Sequence, residues 1–205
     1  MRKKTYQRYS IVILPPAPIV KKAITESQRL KKQGGVFALN QKDFFPHITL
    51  YMVEFPVKNR AKIQAALTEA TKTLRSFSTK SLAYRHVYDG YIDMEYRRDR
   101  NIANLQKKII TLLNPLRENH MRGKDRKRLA AMPTVEQKNI EQFGYYAVGQ
   151  NYFPHLTFSK LKESNPEVLN HMKRQNFSFV AKQLALCEVG DFGTCKKRLQ
   201  TFKLQ

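Results

Sequence analysis

The chain has 205 residues, enough for one domain or two small lobes sharing a core, and 41% of them are hydrophobic, which excludes a wholly disordered protein. Its 38 Lys and Arg against 16 Asp and Glu leave a formal charge of +22, a field that attracts polyanions, nucleic acid foremost. No stretch approaches the ~20 apolar residues of a membrane span, and the run Ile11–Leu14 behind the basic head is too short for a signal peptide, so a cytoplasmic protein without membrane contact is expected.

The β-branched run Tyr9–Leu14 predicts a buried strand, stopped by Pro15 and Pro16. Ile19, Ala23, Ile24 and Leu30 then approximate helical spacing up to Gly34 and Gly35. A strand through Phe-Phe-Pro-His-Ile-Thr-Leu-Tyr is closed by Pro56. The next helix carries Ile63, Ala66, Leu67, Ala70 and Leu74 in one stripe. Residues 78–97 alternate as a strand pair around the turn dipeptide Asp89-Gly90. Residues 101–119 form an amphipathic helix broken by Pro115. Residues 120–144 are polar, basic and weakly periodic, and read as a long loop with room for a short helix. A second strand carries Tyr-Phe-Pro-His-Leu-Thr-Phe-Ser, and Asn165 caps a short helix with Pro166 at its first position. Two or three strands close the chain, with a turn around Gly190 to Gly193.

Each half thus holds a Pro-His-apolar-Thr strand followed by a helix, as in an internal duplication. Neither half has enough strands to close a sheet alone. The expectation is an α+β fold of two interwoven lobes in one domain over residues 1–205, with the basic segment at about 120–142 between them.

Only 5 histidines occur, and two of them, His47 and His155, fall in these matched settings. Strand alternation puts His47 and Thr49 on one face and Ile48 and Leu50 on the other; His155 and Thr157 oppose Leu156 and Phe158 in the same way. If the lobes face each other, two imidazoles and two hydroxyls share a cleft. A neutral imidazole can accept a proton from an attacking hydroxyl while a protonated one gives a proton to the leaving oxygen. The threonines can donate to non-bridging phosphate oxygens. Two histidines without Asp, Glu or Cys beside them make a poor metal site, so no metal or cofactor is expected.

Other residues are weighed against plainer roles. Tyr51 shares the face of His47 and Thr49 by alternation and is placed either on substrate or in the core. Tyr152 and Phe45 flank the motifs as candidate groove walls. Alternation turns Lys160 to the face opposite the second motif. Arg126, Lys127 and Arg128 end the densest basic run, either a solvated loop or a clamp on RNA backbone phosphates. His86, His120 and His171 read as surface or packing residues. Cys187 and Cys195 read as free buried thiols of a reducing compartment.

The paired Pro-His-Ile-Thr-Leu-Tyr and Pro-His-Leu-Thr-Phe-Ser resemble the signatures of the two-histidine (2H) phosphoesterase superfamily, the LigT-like 2'-5' RNA ligases and cyclic phosphodiesterases. The strand Tyr9–Leu14 and the closing strands are similar to that group as well; the long basic segment departs from its shortest members. The resemblance implies a bilobal, pseudo-two-fold α+β fold, with two antiparallel-sheet lobes, outer helices and a central groove. It also implies catalysis by His47 and His155 with phosphate contacts from Thr49 and Thr157. The expected function is a metal-independent phosphodiesterase, a monomer, acting on 2',3'-cyclic phosphate ends or 2'-5' linkages of RNA or oligonucleotides. Two alternatives stand beside it: an RNA-binding protein that keeps the fold without turnover, and a phosphodiesterase for small cyclic nucleotides.

Overall fold

A computed structural model of the chain describes residues 5–163 and 165–205; the basic head at residues 1–4 lies outside them. Nine strands and five α-helices occur among the described residues. In chain order they are β1 (Tyr6–Ile13), α1 (Ala17–Lys32), β2 (Ile48–Pro56), α2 (Arg60–Thr71), β3 (Phe77–Thr79), β4 (Ser81–Val87), β5 (Tyr91–Tyr96), α3 (Arg100–Leu113), α4 (Gly123–Arg128), α5 (Thr134–Phe143), β6 (His155–Lys160), β7 (Phe179–Ala181), β8 (Gln183–Val189) and β9 (Cys195–Lys203). No described helix is long and apolar enough to cross a membrane.

The strands form a four-stranded sheet of order β2-β1-β8-β9, a three-stranded sheet of order β4-β5-β6 and a small β3-β7 pair. Every pairing is antiparallel. The two Pro-His-Thr strands, β2 and β6, are each the edge strand of their own sheet, and they contact one another. One buried cluster runs through both sheets, from Tyr9, Ile11 and Leu50 to Met94, Leu156 and Phe158.

The helices cross over between the sheets. α1 leaves the four-stranded sheet and packs on β6; α3 leaves the three-stranded sheet and packs on β2. α3 has the sharpest apolar stripe, with Ile102, Leu105, Ile109, Ile110 and Leu113 buried. The Asp99 side chain starts it by accepting from the Asn101 and Ile102 amides.

Sequence patterning locates these elements well, with one clear exception. Residues 120–144 are not a loop: they hold α4 and α5. Of α5 only Ile140 is buried, so its sequence lacks the apolar stripe that marks a helix. Gly144 ends it at φ 68°, a conformation glycine adopts without strain. The buried Arg117 guanidinium donates to Asn114 Oδ1 and to the carbonyls of His120 and Gln142, drawing the segment's two ends together. The segment after Asn165 is a 3-10 turn, Pro166–His171, rather than an α-helix, and the Asn165 side chain caps it as expected. At the β4–β5 turn both Asp89 and Gly90 take positive φ, 73° and 81°.

A further departure from simple alternation bears on the site. In β2 the register to β1 runs Thr49 to Val12 and then Tyr51 to Ile11, so Leu50 is an extra residue, a β-bulge. In β6 the register to β5 runs Thr157 to Asp93 and then Ser159 to Ile92, so Phe158 is extra at the matching place. A bulge takes its residue out of the ladder, and a buried carbonyl left without a partner is costly. Each is captured from a crossing helix. Gln106 of α3 donates to the Leu50 carbonyl (3.1 Å) and to the Ala147 carbonyl (2.8 Å). Ser27 of α1 donates to the Phe158 carbonyl and accepts from the Leu39 amide (2.7 Å). These two contacts explain why a glutamine and a serine are buried on the packed faces of these helices.

Gln106→Leu should therefore cost about 1–3 kcal/mol for each carbonyl it leaves unpaired. The denaturant midpoint of the variant measures this, and Gln64→Ala, at a surface contact to Gln200, should change stability by less than about 0.5 kcal/mol.

Candidate active site

Each histidine stands where its chain enters the edge strand, and each ring is held in the same manner. The His47 Nδ1–H donates to the Phe45 carbonyl at 2.8 Å, and the His155 Nδ1–H to the Phe153 carbonyl at 2.9 Å, in both cases across the intervening proline. Proline suits the position because the chain there makes no ladder donation. A carbonyl only accepts, so both neutral rings carry the proton on Nδ1 and present Nε2 as the free base. His47, Thr49, His155 and Thr157 are all half-buried, and the Thr49 and Thr157 hydroxyls form no hydrogen bond among the described residues. The two rings lie close enough for a charge on His155 to oppose protonation of His47.

The faces are set by the bulges. Ahead of them, Ile48 and Leu50 of β2 and Leu156 and Phe158 of β6 are fully buried in the core. Beyond them the alternation has slipped by one. Tyr51 is consequently not on the face of His47 and Thr49: it is fully buried, and its hydroxyl donates to the Phe143 carbonyl at 2.6 Å. Met52 and Glu54 take the histidine face in its place. In β6 the same slip buries Ser159 and returns Lys160 to the face of His155 and Thr157, where alternation alone does not put it. Lys160 Nζ lies 5.1 Å from the centre of the Tyr91 ring and 3.7 Å from Asp89.

Neither expected groove wall is exposed. Tyr152 is buried and ties the lobes together, its hydroxyl donating to the Thr49 carbonyl at 3.0 Å. Phe45 lies against Val12, Ala185, Cys187 and Cys195 of the four-stranded sheet, under the Arg198 guanidinium. The matching residue of the second motif, Phe153, stacks on His155 with centroids 4.5 Å apart and carries Arg85 on its ring. Tandem Phe-Pro-His spelling was the available signal for Phe153. Asp93, paired with Thr157, is 2% exposed, and its Oδ1 has no hydrogen-bond partner. No group of three or more His, Cys, Asp or Glu side chains among the described residues is arranged to hold a metal ion.

A family profile described as "Protein of unknown function (DUF1045)" matches residues 55–195, more than half of the chain and including the second motif. The chain belongs to the DUF1045 family. Its structure is similar to E. coli LigT in complex with 3'-AMP (TM-score 0.60, 14% identity, 98% of this chain and 99% of that one). It is similar to TT0787 of Thermus thermophilus (TM-score 0.61, 14% identity, 96% and 97% covered) and to the MHV ns2 PDE domain (TM-score 0.50, 14% identity, 89% and 99% covered). No curated protein sequence matches. This DUF1045 protein accordingly has the LigT fold over essentially its whole length, the architecture that the paired motifs led us to expect.

Electrostatically the two halves of the site differ. Burial pushes the His47 pKa down to about 4 from 6.5; the bond to the Phe45 carbonyl opposes that shift and the proximity of His155 adds to it. His47 is therefore neutral at physiological pH. In the basic run, Arg128 pairs with Asp125 (2.9 Å), which also pairs with Arg122 (2.7 Å), and Arg126, Lys127 and Arg128 are all exposed. His120 is a packing residue, stacked on Tyr6 at 3.7 Å and bonded to Glu54 at 2.8 Å, and His171 is exposed. Cys187 and Cys195 are free and buried, as expected.

The His47 shift has a sign that can be tested on stability. The unfolded chain takes up a proton on this ring as pH falls through about 6.5, and the folded chain only near 4. Between those values the unfolded state binds more protons, so stability falls as pH falls, by up to about 3 kcal/mol from this ring. His47→Asn, which keeps a donor for the Phe45 carbonyl but does not titrate, should lose less stability than the wild type between pH 6.5 and 4. Equal losses in parallel denaturant titrations would remove His47 as the titrating group.

Proposed function

We propose that this DUF1045 protein is a 2H-type phosphodiesterase that acts on RNA or oligonucleotides, opening 2',3'-cyclic phosphate ends or cleaving 2'-5' linkages. The observation that carries this reading is the matched pair of imidazoles, each fixed through Nδ1 with Nε2 free and each followed two residues later by an unpartnered threonine hydroxyl. The LigT fold supports it, as does the solution of LigT with the nucleotide 3'-AMP. The charge of +22 favours a polyanionic substrate over a small cyclic nucleotide.

In cyclic-phosphate opening, His47 Nε2 takes the proton of the attacking water. A P–O bond forms to that water oxygen as the bond to the leaving ribose oxygen breaks, and protonated His155 supplies the proton that the leaving oxygen needs. Thr49 and Thr157 donate to the non-bridging oxygens, where charge develops. For a 2'-5' linkage, the neighbouring 3'-hydroxyl replaces water as the nucleophile and the product is a 2',3'-cyclic phosphate. His47 is assigned as the base because its depressed pKa keeps it unprotonated.

The decisive experiment is end-group analysis. RNA ending in a 2',3'-cyclic phosphate and 2'-5'-linked oligoadenylate are incubated with the protein in the presence of chelator, and the product phosphates are identified. His47→Asn and His155→Asn should each lower turnover by about 10²–10⁴-fold. The double variant should lose far less than the product of the singles, because the two rings act in one step. RNA that is bound but recovered with unchanged ends would make the protein a binder.

Two further readouts test the roles separately. kcat/KM should keep its full base-side value down to about pH 5 and fall only as pH approaches about 4, since it reports the free enzyme. An acid limb at about 6.5 would overturn the assignment of His47. Thr49→Ala or Thr157→Ala should cost on the order of 10²-fold in turnover, with Ser costing less. Equal losses for Ala and Ser would point to packing by the threonine methyl.

A further inference from the structure

The buried arginines of this protein are treated unequally. Arg117, 1% exposed, spends its guanidinium on the side-chain oxygen of Asn114 and on backbone carbonyls. Arg8 of β1 is half-buried, yet its guanidinium forms no hydrogen bond and no ion pair among the described residues. It lines a cavity of about 30 Å³ together with Arg122, Arg128, Tyr145 and Tyr146. Two carboxylates also border this cavity, and both are already engaged: Asp125 by Arg122 and Arg128, Glu54 by His120. Arg8 is thus the cation left over. Neither the Tyr145 nor the Tyr146 hydroxyl has a hydrogen-bond partner, and burial raises both pKa values, so both remain donors. A desolvated guanidinium beside other guanidiniums and free hydroxyls is suited to an oxyanion, which it can bind through two parallel N–H groups.

The cavity lies on the same strand face as the site. Val12 pairs with Thr49, and Ser10 and Arg8 follow on the same side of β1, opposite Met52 and Glu54. Arg8 therefore stands four residues, about 13 Å, along the strand from the threonine level. Across from it, Tyr91 and Asp93 of β5 are near enough to Arg8 or Tyr146 to be felt electrostatically. At the ~3.4 Å rise of a stacked strand this separation corresponds to about four nucleotides, and to fewer in an extended one.

We infer that Arg8, with Arg122, Arg128 and the Tyr145 and Tyr146 hydroxyls, forms a second anion subsite that takes a backbone phosphate of a single-stranded oligonucleotide whose reacting phosphate lies between His47 and His155. The inference rests on the proposed function for its orientation on the strand. It makes the protein an enzyme of oligonucleotide ends, with length recognised at Arg8, rather than of free cyclic mononucleotides.

The test measures binding, so that it does not depend on turnover. Oligoadenylates of one to five nucleotides with a 3'-phosphate end are titrated calorimetrically at two salt concentrations. Affinity should rise by about tenfold at the length whose added phosphate reaches the cavity, the worth of one charge-assisted contact. Arg8→Gln should abolish that step and reduce the magnitude of the salt slope for the pentanucleotide by about 0.7, one phosphate contact on a single strand. Arg128→Gln should shrink the same step, which covers the case of an Arg8 variant that folds poorly. A smooth rise with length, or an equal loss at every length in both variants, overturns the subsite. A length step with no conversion of cyclic or 2'-5' substrates by the wild type would leave the subsite standing and remove the catalytic reading instead.

Discussion

Two backbone carbonyls organise this molecule. Leu50 and Phe158 each sit one residue beyond a threonine of the site, and each is pushed out of its ladder by a bulge. Their carbonyls are buried where water cannot serve them, so a donor must come from the protein. Gln106 and Ser27 supply it, and both arrive on helices that have crossed from the other sheet. Satisfying the bulges thus draws on the helices that cross between the two sheets. The same bulges decide which side chains face the site, because one extra residue exchanges the two faces of everything beyond it. Met52 and Lys160 owe their placement to this, and so does the burial of Tyr51 and Ser159.

Near-symmetric backbones then carry unequal chemistry. The Nδ1 bonds of His47 and His155 differ by only 0.1 Å. Their surroundings are not matched. Each preceding ring lies beneath an arginine, Phe45 beneath Arg198 and Phe153 beneath Arg85, but Phe45 is packed into an apolar patch with both cysteines while Phe153 lies flat against His155. Burial around His47 disfavours its charged form. A duplicated strand can therefore place two like side chains in unlike packing without any difference in the motif itself.

What was legible in the sequence follows the same physics. The α+β class, the strands and the four motif residues stand out because alternation and helical periodicity report burial directly. The bulges do not, because nothing in Ile-Thr-Leu-Tyr-Met distinguishes a strand that slips from one that does not. Errors about Tyr51 and Lys160 follow from that single omission. Tyr152 and Phe45, candidate groove walls, are buried for another reason: an aromatic beside a motif of this kind packs under it as readily as it lines it. The segment of α4 and α5 reads as a loop with room for one short helix because the two helices bury Asp125 and Ile140 and little else. Their positions rest on Arg117, on Gly144 and on the ion pairs of Asp125, long-range or conformational features without a periodic signature. Arg8 had a faint one. Tyr6, Arg8 and Ser10 alternate against Tyr9 and Ile11, so the polar face of the first strand was readable, although its meeting with residues 122–146 was not.

The basic character of the chain divides into two physical roles. Most lysines and arginines, Arg126 and Lys127 among them, are exposed, where salt screens them over roughly 8 Å at physiological ionic strength. Charges of that kind raise the rate of encounter with a polyanion without fixing its register. A guanidinium in a cavity is screened far less and is held by its surroundings, so it can select where along a strand a phosphate rests. Within the 120–144 segment, Arg122 and the solvent-exposed Arg128 both border the cavity and both pair with one buried aspartate, Asp125. Removing its charge would free Arg122 and Arg128 while leaving the net attraction of the surface slightly stronger, so any loss of register would appear against a background of unimpaired capture.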